Sequence, residues 1–220
     1  MLSGSVEKPN FIVVEGPVGV GKTSLVQRLA DHFGSEMLLE GAEENPFLQR
    51  FYNNPREAAL PAQLFFLFQR SRQWNDLLQA DMFRQHLIAD FMLEKDRLFA
   101  QINLDPDEMR LYEQVYNHLT LEAPPPDLVV YLQAPVEILM KRIRQRARPV
   151  ERNIGRDYLQ QLCDSYADFF HHYDRSPLLI INAAEINPLQ REQDFRLLVD
   201  HICEPGAERR RYLNLTGFSL

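Results

Sequence analysis

Short apolar runs alternate along the chain with longer segments in which apolar residues recur every three or four positions. The short runs lack polar alternation, so we expect strands that are buried on both faces, whereas the longer segments are typical of amphipathic helices. This alternation indicates an α/β fold in which helices flank a parallel sheet. Five parallel strands are predicted, at 11–16, 37–41, 86–91, 127–132 and 178–183.

The helical pattern predicts six segments, at 22–33, 56–80, 92–121, 135–148, 156–174 and 191–203. The third should break near the sequence LDPDE, because Asp107 and Glu108 suit the first turn of a new helix. The sequence APPPD at 123–127 must be an extended connection, since three prolines cannot continue a helix. No linker divides the chain, so we expect residues 1–220 to form a single domain, with a tail at about 205–220 that has no assigned element.

Composition and charge narrow the classes of function. The net charge of −7 and the pI near 5.4 argue against non-specific binding to a polynucleotide, which depends on a broad cationic surface. Cys163 and Cys203 form no CxxC or Cys/His cluster, so we expect both to be reduced packing residues. No apolar run approaches the roughly 20 residues that a membrane span needs. The sequence therefore predicts a soluble, cytoplasmic protein without a membrane partner.

A phosphate-binding loop follows the first predicted strand. The sequence GPVGVGKTS matches G-x-x-x-x-G-K-[ST], and its candidate ATP-binding residues are Gly16, Gly19, Gly21, Lys22, Thr23 and Ser24. Backbone N–H groups and the N-terminus of the next helix would surround the phosphates, Lys22 would bridge the β- and γ-phosphates, and Thr23 would bind Mg²⁺. The alternative is a chance glycine-rich turn, but the position between a strand and a helix favours the phosphate loop.

Other motifs reduce the choice among phosphate-loop proteins. The chain has no NKxD-type guanine motif, which GTPases carry, and DLVVYLQAP ends without the paired acids of ABC-type and helicase ATPases. These absences leave a kinase that closes a basic lid over a bound nucleotide.

Three acidic residues, Glu15, Glu40 and Asp90, fall at the ends of the first three predicted strands. Ligands of open parallel sheets bind at that edge, and a phosphoryl acceptor needs a nearby carboxylate as base. We predict that Glu40 is this base and that Asp90 holds Mg²⁺ through water. The alternatives are a solvated loop acid for Glu40 and a structural strand-end acid for Asp90.

The segment from 51 to 74 combines aromatic, amide and arginine side chains. Gln63, Leu67 and Arg70 share one helical face. Together with neighbouring phenylalanines, Gln63 and Arg70 would suit a pocket that stacks and hydrogen-bonds a nucleobase. The alternative is that the phenylalanines belong to the ordinary core.

The sequence KRIRQRARPVER at 141–152 is a local basic run. Arg142 and Arg146 lie on one helical face and Arg144 points away, while Pro149 disfavours helical geometry at Arg148. This pattern predicts a short lid at about 142–155. Its ATP-binding residues would be Arg142, Arg146 and Arg148; a solvated basic helix and a nucleic-acid patch are the alternatives.

Over residues 12–204 the chain resembles the deoxynucleoside kinase family, most closely the bacterial deoxyadenosine/deoxyguanosine kinase type. The resemblance depends on the phosphate loop, on Glu40, on FY at 51–52 with a proline three residues after the tyrosine, on Q-x-x-x-L-x-x-R from Gln63 to Arg70, and on R-x-x-x-R-x-R-x-x-E from Arg142 to Glu151. It implies a P-loop kinase fold, with ATP and Mg²⁺ as cofactors and a homodimer as the assembly.

The resemblance also implies roles for individual residues. Glu40 corresponds to the base that acts on the 5′-hydroxyl of the sugar. The substrate-binding residues would be Tyr52 and Glu151 at the 3′-hydroxyl and Gln63, Arg70 and Asp96 at the base, with Arg70 and Asp96 forming a buried pair.

One motif departs from the family. The family pattern [DE]-R-S after the third strand places an arginine near the catalytic carboxylate, whereas this chain has Asp90, Phe91 and Met92 there. Either another cation, such as Arg97 or the lid residue Arg148, supplies the charge, or activity is low, or the acceptor differs from a standard deoxynucleoside.

The leading hypothesis is therefore ATP-dependent phosphorylation of the 5′-hydroxyl of a deoxynucleoside in nucleotide salvage, with a purine favoured through the resemblance. Its predicted catalytic residues are Glu40, Lys22 and Arg148. The alternatives are a P-loop kinase of another small metabolite or of a nucleoside monophosphate, and a catalytically weak nucleotide-binding sensor.

Overall fold

A sheet of six parallel strands forms the centre of the part of the chain that the structure describes. The structure is a computed structural model that describes residues 9–79, 86–119, 124–204 and 208–214. The spatial order of the strands is β2-β3-β1-β4-β5-β6. Their bounds are β1 Phe11–Glu15, β2 Glu36–Leu38, β3 Leu87–Ala89, β4 Leu128–Gln133, β5 Leu178–Asn182 and β6 Arg210–Leu213.

The prediction of five strands is wrong, because β6 adds a sixth strand that pairs in parallel with β5. Its sequence, RRYL, has no apolar run and therefore gives no strand pattern. Arginine side chains attach it to neighbouring helix ends: Arg210 Nη2 donates to the carbonyls of Phe170, His171 and Tyr173 at 2.9–3.1 Å. Tertiary hydrogen bonding thus makes an edge strand of a polar segment.

Helices cover the sheet, and most lie within the predicted segments. They are α1 Lys22–Phe33, α2 Leu48–Asn53, α3 Pro55–Gln79, α4 Glu94–Asn103, α5 Pro106–His118, α6 Val136–Arg146, α7 Arg156–His172 and α8 Glu192–Cys203. The predicted break between α4 and α5 is confirmed. Asp105 caps α5, since its side chain accepts from the backbone N–H of Asp107 and Glu108, and Glu108 completes the capping box.

The strands differ in burial. All residues of β1 and β3 are buried, as predicted, but β2 lies at the edge of the sheet and exposes Glu36 and Met37. The expectation of burial on both faces is therefore wrong for β2. Because β2, β3 and β1 are parallel neighbours, their carboxyl ends meet at one edge.

A few predicted positions lie outside the described residues: residue 80 of the predicted helix 56–80, residues 120 and 121 of the predicted segment 92–121, residue 123 of the proline-rich connection, and 205–207 and 215–220 of the tail. Among the residues that are described, we find no helix with the length and apolar character that crossing a membrane requires.

Candidate active site

A cavity of about 470 Å³ opens at the edge where β1, β2 and β3 end. The phosphate loop, the segment after β2, helices α2 to α4 and the lid surround it. Most predicted site residues line it: Gly19, Gly21, Lys22, Thr23, Ser24, Glu40, Tyr52, Gln63, Arg70, Asp90, Arg146, Arg148 and Glu151. Three predicted residues, Gly16, Arg142 and Asp96, do not line it.

The phosphate loop turns tightly between β1 and α1. Gly16 has φ 149° and Gly19 has φ 85°, and a Cβ at Gly16 would lie 2.3 Å from the carbonyl oxygen of Leu132. Glycine is therefore required where the loop crosses β4. Lys22 Nζ donates to the carbonyl of Gly16 at 2.7 Å. Burial and the nearby ammonium of Lys95 lower the pKa of Lys22 to about 8.

Arg142 lies behind the phosphate loop. Its guanidinium donates to the carbonyl of Val20 at 3.1 Å and to the carbonyl of Ala183, after β5, at 2.7 Å. The residue thus joins the loop to the carboxyl end of the sheet. Its predicted contact with ATP stays a prediction.

Glu40 is at the centre of a buried charge network. Lys95 Nζ lies 3.0 Å from Glu40 Oε1 and 2.9 Å from Oε2, and Arg70 also forms an ion pair with Oε1. Arg70 in turn pairs with Asp96, as predicted, and both side chains are buried. Burial favours the neutral form of Glu40, but Lys95 and Arg70 outweigh burial and hold the pKa of Glu40 well below its usual range.

Lys95 is the site residue that the sequence analysis missed. Phe91 is fully buried and packs edge-to-face with Trp74, so its side chain lies in the core rather than in the cavity. Arg97, one of the two suggested replacements for the family arginine, is half-exposed and pairs with Glu113 on α5. Besides Arg70, the cation at Glu40 is Lys95, four residues after Phe91. A lysine in the first turn of a predicted helix is a usable signal, because the helix dipole disfavours a cation there.

Asp90 connects the phosphate loop to the segment that carries Glu40. Its Oδ2 accepts from the hydroxyl of Thr23 at 2.6 Å, and its Oδ1 accepts from the backbone N–H of Glu40 at 2.8 Å. The side chains of Thr23 and Asp90 offer oxygen ligands of the type that Mg²⁺ prefers. No cluster of three His, Cys, Asp or Glu residues suited to a metal occurs in the described ranges.

Glu15, the third strand-end acid, is a structural residue. It is fully buried and accepts from the backbone N–H of Gly16 at 3.0 Å, from that of Met92 at 3.1 Å and from the hydroxyl of Tyr166 at 3.0 Å. These bonds fix the start of the phosphate loop relative to the turn before α4.

The far end of the cavity combines aromatic walls with polar atoms that lack partners. Phe66 and Phe99 line it, and Arg70 lies over the ring of Phe66 at 5.0 Å. Within the described part of the chain, Gln63 Oε1 and Arg70 Nε are buried without a hydrogen-bond partner, and so is Oδ2 of Asp96, which pairs with Arg70 but does not line the cavity. Burial raises the pKa of Asp96 to about 6, although Arg70 lowers it. Buried polar atoms of this kind are costly unless a ligand or water satisfies them.

The lid brings two of its three predicted arginines to the cavity, whereas Arg142 lies behind the phosphate loop. Helix α6 ends at Arg146, two residues earlier than expected; Ala147 adopts φ 52°, and residues 149–151 form a 3₁₀ turn. Arg146 pairs with Glu151, and Arg148 Nη1 lies 2.9 Å from Glu43 Oε1. Arg146 and Arg148 both line the cavity, whereas Arg144, which was predicted to point away, does not.

Two tyrosines lie beside the lid turn. The ring centroids of Tyr52 on α2 and Tyr158 on α7 are 6.3 Å apart. Burial, with smaller contributions from Tyr158 and Glu151, raises the pKa of Tyr52 well above its usual range. Tyr52 therefore stays a neutral hydroxyl that can donate a hydrogen bond to a ligand.

Comparison with known proteins identifies the family. The family model described as deoxynucleoside kinase matches residues 12–204. This chain belongs to the deoxynucleoside kinase family. It is 38% identical over 157 residues to a deoxyguanosine kinase of Bacillus subtilis, which covers 71% of this chain and 76% of the relative. A deoxyguanosine kinase of Lactobacillus johnsonii is 31% identical, with 91% and 94% covered.

A solved structure agrees with this assignment. The structure of deoxyadenosine kinase from M. mycoides with bound dATP superposes with a TM-score of 0.76 at 26% identity, covering 88% of this chain and 98% of that one. The P-loop kinase fold is therefore confirmed, and the chain is a nucleoside kinase that phosphorylates deoxynucleosides in salvage. Membership of the family favours this activity over a kinase of another metabolite and over a sensor without turnover.

Proposed function

We propose that this kinase transfers the γ-phosphoryl group of ATP to the 5′-hydroxyl of a purine deoxynucleoside, with deoxyguanosine preferred to deoxyadenosine. The observation that carries the proposal is the position of Glu40. Its ionised carboxylate lies in the cavity between the phosphate loop and the pocket formed by Gln63, Arg70 and Phe66. A base at that point would serve an acceptor whose hydroxyl faces the loop and whose ring faces the pocket.

The proposed mechanism assigns Glu40 as the general base. Glu40 accepts the proton of the 5′-hydroxyl while the 5′-oxygen forms a bond to the γ-phosphorus, and the bond from that phosphorus to the bridging oxygen breaks to release ADP. Lys22, Arg146 and Arg148 would balance the charge on the phosphates. Tyr52 and Glu151 would hold the 3′-hydroxyl. The buried Oε2 atom of Glu151 has no hydrogen-bond partner among the described residues, so it could accept a hydrogen bond from this hydroxyl.

Mg²⁺ belongs to the proposal. Thr23 and Asp90 would hold it, directly and through water, because Mg²⁺ commonly takes one or two protein oxygens together with phosphates and waters. The ion would supply charge neutralisation at the phosphates. A cluster of protein ligands is not needed for this mode of binding.

The preference for guanine is inferred from hydrogen-bonding chemistry. Arginine offers only donors, and guanine presents the O6 and N7 acceptors that arginine typically contacts. Gln63 Oε1 offers an acceptor for the ring N–H of guanine. The names of the two bacterial relatives above support the same order.

We also infer a cytoplasmic homodimer. Family resemblance supports the dimer, and multi-angle light scattering on the purified chain tests it: a mass of twice the 25.8 kDa chain supports it, and the mass of one chain contradicts it.

A substrate panel tests the proposed function. ADP release would be measured in a coupled assay with deoxyguanosine, deoxyadenosine, deoxycytidine, thymidine, guanosine and deoxyguanosine monophosphate. We expect the highest kcat/KM for deoxyguanosine, then deoxyadenosine, with guanosine far lower. Absence of ADP release with every deoxynucleoside would refute the proposal, and a faster reaction with a pyrimidine would refute the purine preference.

A further inference from the structure

Lys95 is a buried cation whose ammonium hydrogen bonds go to the proposed base. The ammonium donates to both oxygens of Glu40, at 3.0 and 2.9 Å, and makes no other hydrogen bond to a described residue. Its side chain is 5% exposed, yet it lines the cavity, with the ring of Phe99 5.4 Å from Nζ. A protonated lysine has three N–H donors, so one remains for an oxygen that enters the cavity.

Fold stability is a poor explanation for this lysine. Lys95 lies in the first turn of α4, where the helix dipole disfavours a positive charge. Burying a charged pair costs desolvation energy, and the attraction between the two charges often does no more than offset that cost. Glu40 already has one cationic partner in Arg70, which it shares with Asp96.

The resting arrangement also conflicts with the work of a base. Two cations occupy both oxygens of Glu40: Lys95 donates to Oε1 and Oε2, and Arg70 donates to Oε1. A base must free one oxygen for the proton that it accepts and must gain basicity when it does so. One of the two cations must therefore move when the acceptor binds.

The contacts of the two cations indicate which one moves. Arg70 bridges Glu40 and Asp96, so leaving Glu40 would also break its second ion pair. Lys95 is tied to Glu40 alone and has a flexible four-carbon stem. Lys22 and Lys95 both line the cavity, and the charge of Lys95 contributes to the lowered pKa of Lys22.

We propose that Lys95 is a positioning residue that keeps Glu40 ionised before the acceptor binds and then turns to the transferring phosphoryl group. This inference rests on the proposed function and adds a residue to it. When the 5′-hydroxyl binds, Lys95 releases one Glu40 oxygen to it. As Glu40 takes the proton and becomes neutral, the positive charge of Lys95 is left to stabilise the phosphoryl oxygens. Lys95 itself stays protonated throughout, and no bond to it forms or breaks.

Two substitutions at this position, with one control, test the proposal in the full-length protein. Lys95→Met is expected to lower kcat by about 100-fold, the typical cost of removing one donor at a developing charge, with a much smaller change in KM for deoxyguanosine. Lys95→Arg should recover part of this loss. Lys141→Met, at an exposed position on α6, should leave kcat unchanged.

The pH profile separates this role from a structural one. Because Lys95 lowers the pKa of Glu40, its removal raises that pKa, so the acid limb of the kcat profile should move to higher pH in Lys95→Met and stay in place in Lys95→Arg. In the Glu40→Gln background, Lys95→Met should lower kcat by less than it does in the parent protein, because its effect on the base is already lost while its effect on the phosphoryl oxygens remains.

Each outcome decides the inference. Unchanged kcat in Lys95→Met overturns it, as do an unmoved acid limb, an equal shift in Lys95→Arg, or full additivity with Glu40→Gln. If Lys95→Met does not fold, the profile of Lys95→Arg decides: a shifted acid limb overturns the proposal and an unmoved one supports it. A parent protein that phosphorylates no deoxynucleoside would refute the proposed function instead.

Discussion

The cavity has two ends that bind by different means. At the nucleotide end, the phosphate loop presents backbone N–H groups, the exposed side chains of Thr23 and Ser24, and one lysine. At the acceptor end, Glu40, Arg70, Lys95 and Asp96 form a buried network of alternating charges. Backbone donors at a helix N-terminus bind any polyphosphate. A buried charge network instead positions a single acceptor for the transfer of a single proton.

Because of this difference, we expect the two ends of the cavity to respond differently to substitution. A loop that binds through many backbone groups distributes its affinity, so no single side chain except Lys22 carries much of it. The acceptor end depends on side chains that each contact the next, so removal of one leaves a buried partner unpaired.

The largest expected effect is that of Glu40→Gln. Loss of the base should lower kcat by roughly 10²- to 10⁴-fold, while the Kd of ATP, measured by calorimetry, should change little. Glu57→Gln, at an exposed position on α3, is the matched control and should retain activity. A variant with full kcat would show that Glu40 is not the base; a large loss of ATP affinity would show that the two ends are not separate.

Gln63→Leu should affect the acceptor alone. The substitution removes a buried amide oxygen that has no partner among the described residues, so Tm should not fall. The KM for deoxyguanosine should rise about 10- to 100-fold, because a contact to the base is lost.

Gln101→Leu, at an exposed position on α4, serves as the control for this substitution. An unchanged KM for deoxyguanosine in Gln63→Leu would remove Gln63 from the base pocket, and an equal rise in the KM for ATP would place its effect elsewhere.

The two ends of the cavity should also differ, by a smaller factor, in how ligand affinity depends on pH. The pKa of Lys22 is about 8 in the free protein, and the negative phosphates of ATP must raise it. The complex therefore holds more protons than the free protein above that pH, so ATP affinity should fall by up to about tenfold between pH 7 and pH 9, with proton uptake on binding. Deoxynucleoside affinity should stay flat over the same range. Calorimetry in buffers of different ionisation enthalpy measures both, and an ATP affinity that is independent of pH would contradict the account.

The contrast between the ends also explains what could be predicted from the sequence. The phosphate loop is contiguous, and its glycines, lysine and threonine are fixed by local geometry. The pair of Arg70 and Asp96 was implied by the family resemblance, and the lid arginines followed from helical spacing. The contact of Lys95 with Glu40 could not be predicted in this way, because the two residues are 55 positions apart in the sequence. Such a contact depends on how α4 packs against the edge of the sheet. Strand β6 and helix α2 were missed for the same reason, since tertiary packing overrides weak local patterns.

The most direct test of the central claim is a crystal structure of the parent protein with deoxyguanosine and a non-hydrolysable ATP analogue. The account predicts that the 5′-oxygen lies about 3 Å from a Glu40 oxygen, within hydrogen-bond reach, with the base against Gln63 and Arg70 and the triphosphate on the loop from Gly16 to Ser24. A deoxynucleoside whose base lies against the phosphate loop, or whose 5′-oxygen is out of reach of Glu40, would contradict it.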